Sequence, residues 1–325
     1  MSMPIGRRAA LLGTLGAAAA AAGPALGQGA RTGRAIVGFP PGGTADSVTR
    51  LYVERLRAGG MGMVVDNRPG AGGRLALEAL KPLAPDGTAF VITPASMMTI
   101  YPHLYSRTLR YDPLKDFTPV SPVCLFPFGL AVSSKHPART LQEFVAWGKG
   151  RPSVDWASPV PGSMPHFIGT EMARMAGLTM SHIPYRGSAP AAADLLGGTL
   201  AAVILPLGEL TAFHRAGEVR LLAISSPQRL PRLQEVPTFA ESGFPDLVHE
   251  EWYGAMLPAG ASPATVSALH EAIVAAAGTA EIRDALTRID IAPATMEPGA
   301  FRERIARETA AWGPIVAASG FRPDE

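Results

Sequence analysis

The chain has 325 residues, with 29 Lys and Arg against 27 Asp and Glu and one cysteine. The near-balance of charge, with no basic cluster, excludes nucleic acid as a natural partner, and a lone Cys124 excludes an internal disulfide and any metal site built on thiolates. The length exceeds one typical domain, so two domains around a cleft are expected.

Residues 1–27 read as an export signal. Arg7 and Arg8 lead into AALLGTLGAAAAAAGPALG, too short and alanine-rich for a membrane span, and Ala25 and Gly27 supply the small residues of an A-x-A-like cleavage site. The paired arginines followed by Leu11 and Leu12 resemble a twin-arginine signal, although Gly6 stands where Ser or Thr is commoner; a Sec signal is the alternative. Either route places the mature chain in the periplasm. Loss of Arg7 and Arg8 lowers the basic residues to 27, equal to the 27 acidic ones.

In IVGFPPGGTADSVTRLYVERL, from Ile36 to Leu56, a short apolar strand meets a Pro-Pro-Gly-Gly turn that opens into an amphipathic helix, with Ala45, Val48, Leu51, Tyr52 and Leu56 on one face. Thr44 is the expected N-cap. Such a turn is either a tight connection or an anion site, because the first helical N–H groups lack intrahelical partners and carry the positive end of the dipole. It has neither the Gly-Lys-Ser/Thr of a Walker A loop nor Gly-x-Gly-x-x-Gly, which disfavours a nucleotide phosphate.

Further strands are predicted at Met63–Asp66, Phe90–Thr93, Leu130–Ser133, Val154–Ala157, Met180–Ile183, Leu200–Leu205 and Val219–Ile224. Helices are expected to start at Thr140 with Glu143 as a capping box and near Pro165, then at Ala189–Leu196 and Gly208–Arg215. After Pro237 the pattern reads as loops carrying Trp252 and Tyr253. Helices near Pro263–Ala277, Glu281–Ile289 and Gly299–Val316 follow, the first capped by Ser262 and the last expected to kink or end at Pro314. The alternation of strand and helix argues for α/β layers with largely parallel sheets. With no linker visible, the chain is expected to cross between domains on ordered strands near Leu125–Leu130 and His249–Ala255.

Ligands in open α/β sheets bind at the carboxyl ends of the strands. Phe39–Asp46, Asn67–Gly73, Thr93–Ser96, Ser158–His166 and Tyr185–Ser188 fall there, giving Phe39, Pro41, Gly42, Gly43, Thr44, Asp46, Thr93, Ser96, Ser158, Gly162, Ser163, His166 and Tyr185 as candidate ligand contacts. The alternative takes Ser163 and His166 as nucleophile and base with Asp194 as third member. Three residues apart at a helix start is poor geometry for that pair, and no Gly-x-Ser-x-Gly elbow exists. His166 is instead expected to donate a hydrogen bond within its loop or to ligand. The remaining histidines have no metal-ligand spacing, and Cys124, in an apolar run, reads as a buried inert thiol.

PPGGTAD, VDNRPGAGG, PDG, YDPLKDFTPV, IPYRGSAPAAADLLGG, VPTFAESGFP and WYGAMLPAGASP, in this order from about Ala35 to Gly320, resemble segments of the tripartite tricarboxylate transporter substrate-binding proteins, the Bug family of periplasmic solute receptors. The resemblance implies a two-domain flytrap fold: domain one from 28–128 plus 252–325 and domain two from 129–251, closing on a small organic carboxylate without catalysis or cofactor. It implies a monomer that delivers ligand to membrane transporter subunits, or alternatively presents it to a membrane sensor. Ligand would be held by backbone amides and small hydroxyls of Phe39–Asp46 and Ser158–His166. Three departures stand out: the second loop reads Val160-Pro161-Gly162-Ser163 instead of Gly-x-Gly-Ser, Ala201 and Leu205 stand where relatives often carry acids, and Thr88 replaces the tyrosine after PDG. A less polar pocket, suited to an aromatic or longer-chain carboxylate, is the expectation they raise.

Overall fold

The computed structural model describes residues 32–185 and 187–323; the export segment expected at 1–27 lies outside them. As the alternating pattern predicts, the chain is α/β. With elements numbered in chain order, β1 (Gly33–Val37) lies between β2 (Met63–Asn67) and β3 (Ala89–Pro94), all parallel, with α1 (Thr44–Ala58) and α2 (Arg74–Leu80) as crossovers. A second set repeats this order: β5 (Val154–Ser158) lies between β6 (Met180–Pro184) and β7 (Ala202–Pro206), with α6 (Met164–Ala176) and α7 (Ser188–Gly197) as crossovers. In both sets the loop after the central strand opens a helix at the carboxyl edge.

Two long antiparallel strands join the sets. β9 (Glu250–Pro258) pairs with β3 on one side and with the first part of β4 (Phe117–Ser133) on the other. Beyond Pro127, β4 changes partners, to β7 from Phe128 and to β8 (Val219–Ile224) from Gly129. The two-residue β10 (Ala292–Pro293) adds to β4 at Cys124 and Leu125. Short α3 (Ala95–Thr99) and α4 (Tyr101–Leu104) follow β3. Helices α5 (Leu141–Lys149), α8 (Leu207–Arg215), α9 (Pro263–Ala277), α10 (Ala280–Arg288) and α11 (Pro298–Ser319) complete the layers.

Burial follows the sequence pattern. On α1, Val48, Tyr52 and Leu56 are buried at helical spacing, and the Tyr52 hydroxyl donates to the Val123 carbonyl. Ser262 caps α9 by accepting from Thr265 N–H at 3.1 Å, and Thr140 caps α5 by accepting from Glu143 N–H at 3.1 Å. Glu143 in turn accepts from Arg139 N–H rather than from Thr140.

Four expectations are corrected. Gly43, with φ −81° and ψ 173°, caps α1, and Thr44 is its first helical residue. Leu130–Ser133 is only the end of the 17-residue β4; register shifts fall beside two of its prolines, at Pro119/Ser121 and Pro122/Cys124, while Pro127 pairs in register with Glu250 just before the strand changes partners. The segment with Trp252 and Tyr253, read as loop after Pro237, is strand β9, paired on both edges, and an ordered strand does stand near His249–Ala255 as expected. Finally, α11 does not end at Pro314 but runs on to Ser319, with Trp312 and Val316 buried on either side; packing there outweighs the lost backbone hydrogen bond.

Candidate functional site

A cavity of about 770 Å³ opens between the carboxyl edges of the two parallel sets, within the range of small-molecule pockets, roughly 300–1,000 Å³. The loop after β1 forms one wall through Phe39, Pro41, Gly42, Gly43 and Thr44. Opposite stand Pro159, Val160 and Ser163 from the loop after β5, Gly187 and Ser188 at the start of α7, and Glu209 and Phe213 of α8. Pro94 and Ser96 follow β3, and Phe126, Phe128, Glu251 and Tyr253 come from the two joining strands.

The first loop is folded by Asp46, not opened by it. The buried Asp46 carboxylate accepts from Gly42 N–H at 3.0 Å, Arg50 Nε at 2.8 Å and Asn67 Nδ2 at 2.8 Å. Burial works against its ionisation, but the Arg50, Gly42 and Asn67 hydrogen bonds outweigh burial and hold the carboxyl below its usual range. Arg50 is thereby engaged with Asp46. The N–H groups of Gly43, Thr44 and Ala45 have no hydrogen-bond partner among the described residues, and all three residues line the cavity. That is the arrangement an anion uses at a helix start.

The second loop turns inward. Ser163 Oγ donates to the Val160 carbonyl at 2.7 Å, and His166 Nδ1 accepts from Gly162 N–H at 3.1 Å. His166 therefore accepts within its loop where the sequence suggested donation. Burial, with His182 adding to it, pulls its pKa down to about 3, and its ring stacks on Trp156. No Ser163–His166 hydrogen bond forms. Asp194 takes the Tyr185 hydroxyl instead. A different pair, Ser158 Oγ and His182 Nε2, stands at 2.8 Å, but Ser158 N–H also donates to that nitrogen and Ser158 is fully buried, so no substrate reaches it.

The cavity thus gathers Phe39, Pro41, Gly42, Gly43, Thr44, Ser96 and Ser163 of the candidate contacts. Asp46, Thr93, Ser158, Gly162, His166 and Tyr185 lie outside its wall; Asp46 and His166 bond within or beside their loops, Ser158 to His182 on β6 and Tyr185 to Asp194 on α7. Ala201 and Leu205 do not line it either; Val160 does.

Two lining carboxylates, Glu209 and Glu251, were not singled out from the sequence. Thr44 Oγ1 donates to Glu209 across the cavity. Glu251, 3 % exposed, accepts from Ser96 N–H at 2.9 Å and from Ser96 Oγ at 3.1 Å, and Ser96 Oγ accepts from Met164 N–H at 3.0 Å. This chain of bonds ties β9, the start of α3 and the start of α6 together. Burial pushes the Glu251 carboxyl up to about 7, with Glu308 adding to the shift and the Ser96 hydrogen bonds opposing it. The buried Cys124 thiol is pushed up to about 12, as an inert core thiol should be. No Lys, Arg or His lines the cavity among the described residues, and these residues hold no cluster of three metal-capable side chains.

The family model described as tripartite tricarboxylate transporter family receptor matches residues 51–321. BugT of Bordetella pertussis is 32 % identical over 295 residues, covering 90 % of each chain. Among solved structures, the R. palustris protein Rpa4515 with adipate has a TM-score of 0.85 at 29 % identity, covering 90 % of this chain and 99 % of that one. MatC from Rhodopseudomonas palustris with bound malate has a TM-score of 0.81 at 26 % identity, covering 88 % and 99 %.

Proposed function

The chain belongs to the tripartite tricarboxylate transporter receptor family, and within it we propose that this protein is an extracytoplasmic receptor that captures a small organic carboxylate by cleft closure. The lobes are 28–128 with 252–325, and 129–251, which β4 and β9 connect. The mature protein works in the periplasm after export, acts as a monomer without cofactor or catalysis, and hands its ligand to membrane transporter subunits. Among the described residues no helix is long and apolar enough to cross a membrane.

The observation that carries this reading is the set of unpaired N–H groups at Gly43, Thr44 and Ala45 on a cavity wall without a basic side chain. Adipate and malate in two structural relatives agree with it. Ligand stabilises the closed form only through contacts that differ between open and closed states, so losing one wall's contacts weakens affinity and closure together.

Gly43→Val tests the assignment. A Cβ at Gly43 meets no atom within 4 Å, and φ is −81°, so the variant folds while its side chain blocks approach to the amides. Calorimetry with a panel of carboxylates should show at least about a tenfold loss of affinity. Unchanged affinity in the folded variant would refute the anion-loop assignment.

A further inference from the structure

The helix starts around the cavity are not treated alike. At α3 the Ser96 N–H is taken by Glu251, and at α6 the Met164 N–H is taken by Ser96 Oγ. At α1 the N–H groups of Gly43, Thr44 and Ala45, and at α7 those of Ser188 and Ala189, have no hydrogen-bond partner among the described residues. The protein covers two helix starts with its own side chains and leaves two with free amides.

Glu209 stands beside one of the latter. It lies in the first turn of α8, which follows β7 of the second parallel set, whereas Thr44 is the first residue of α1, after β1 of the first set. Thr44 Oγ1 donates to Glu209 Oε1, so this hydrogen bond crosses the cavity and joins the two sets. It is the one hydrogen bond of the Glu209 carboxylate among the described residues, and no described Lys, Arg or His lines the cavity to pair with it. The carboxylate thus has what a bound anion would have there: a hydroxyl donor and the positive end of the α1 dipole.

A ligand carboxylate approaching the amides of Gly43, Thr44 and Ala45 finds the neighbouring hydroxyl committed and a negative charge bonded to it. Glu209 is half-buried, so water screens the repulsion only in part. For the ligand to gain the full set of donors, Glu209 has to leave.

We propose that Glu209 is a placeholder for the ligand's carboxylate. In the ligand-free receptor it engages Thr44 at the start of α1 and bridges the cleft; an incoming carboxylate displaces it and takes over the Thr44 hydroxyl together with the free amides. The proposal rests on the carboxylate-receptor reading above and adds the residue that sets its threshold: a carboxylate is retained only if its contacts outweigh the bridge it breaks. Apparent affinity scales with the fraction of molecules whose site is uncovered, so a site covered about nine-tenths of the time binds about tenfold more weakly than a bare one.

The test is calorimetry at neutral pH with a panel of small carboxylates that includes adipate and malate, on the parent, Glu209→Gln and Glu209→Asp, each checked for folding by thermal melting. Gln keeps the size of the side chain without its charge. Asp keeps the charge but falls one methylene short of Thr44. Panel members that the parent binds should bind at least about tenfold tighter to Glu209→Gln and at least about threefold tighter to Glu209→Asp. A parent that binds none while Glu209→Gln binds one gives the same answer. Glu209→Ala replaces either variant that does not fold. Unchanged or weaker binding by Glu209→Gln overturns the proposal and leaves the carboxylate-receptor reading intact. So does Glu209→Asp at parental affinity, which would make Glu209 a distant charge and not an occupant. If neither parent nor variants bind any member of the panel, both are overturned.

Discussion

Replacing Glu251 by Gln should change how stability depends on pH. In the folded protein the Glu251 carboxyl rises from its ordinary 4.5 to about 7, because burial penalises its charged form and Glu308 adds to that penalty. The folded state therefore holds this proton more tightly than the unfolded chain. The corresponding stabilisation is fully present below about pH 4.5 and is lost as pH rises through about 7, an effect of about 3 kcal/mol. The neighbours do not blur the window: Tyr253, Tyr101 and Cys124 all have raised pKa values that keep them neutral in it, and Ser96 does not titrate. The amide introduced by Glu251→Gln still accepts from Ser96 through its carbonyl, so any cost of lost packing is independent of pH. Urea denaturation of both proteins at about pH 5 and about pH 8, without ligand, should show the variant gaining about 3 kcal/mol relative to the parent between those values. A difference constant to within about 0.5 kcal/mol would refute the reasoning, since the buried carboxyl would then be ionised throughout or solvated.

Two further predictions concern the frame around the cavity. Ser96→Ala removes the hydroxyl that links Met164 N–H to Glu251; stability at neutral pH should fall by about 1–3 kcal/mol, and an unchanged urea midpoint would show that the link is dispensable. Gly169→Ala places a Cβ 2.0 Å from Trp156 Cη2, a fully buried ring stacked on His166, so overpacking should cost about 1–3 kcal/mol, and an unaltered melting curve would contradict that packing.

Much of the fold is legible in the chain because local signals and tertiary structure agree there. Val219–Ile224 is an apolar run that becomes a strand with those bounds, and Pro263–Ala277 carries its own cap and N1 proline. The joining strands are another matter. Pro119, Pro122 and Pro127 argue locally against a strand because each lacks an N–H; the first two sit at register shifts against β9 and the third where β4 leaves β9 for β7 and β8. Glu250 and Glu251 likewise look like exposed residues before an aromatic pair. The burial of Glu251 depends on β4 beside it and on Ser96 after β3, both far away in sequence, while Glu250 is half-buried.

The site divides along the same line. The helix-start loops were readable because glycine, proline and small hydroxyls mark them locally. Glu209 and Glu251 were not, since their placement arises from pairings of distant elements: Thr44 with Glu209, and Ser96 with Glu251. The departures at Ala201 and Leu205 suggested a less polar pocket, yet neither residue lines it, and the acids that do stand elsewhere in the chain.

Native mass spectrometry of the full chain expressed and purified from its own host tests the central claim most directly. The account predicts a retained small organic acid, at one copy per protein, that is displaced by calorimetrically active carboxylates and largely absent from the Gly43→Val variant. A protein that retains no carboxylate and binds none from a broad panel, or one whose retained ligand is unaffected by Gly43→Val, would contradict it.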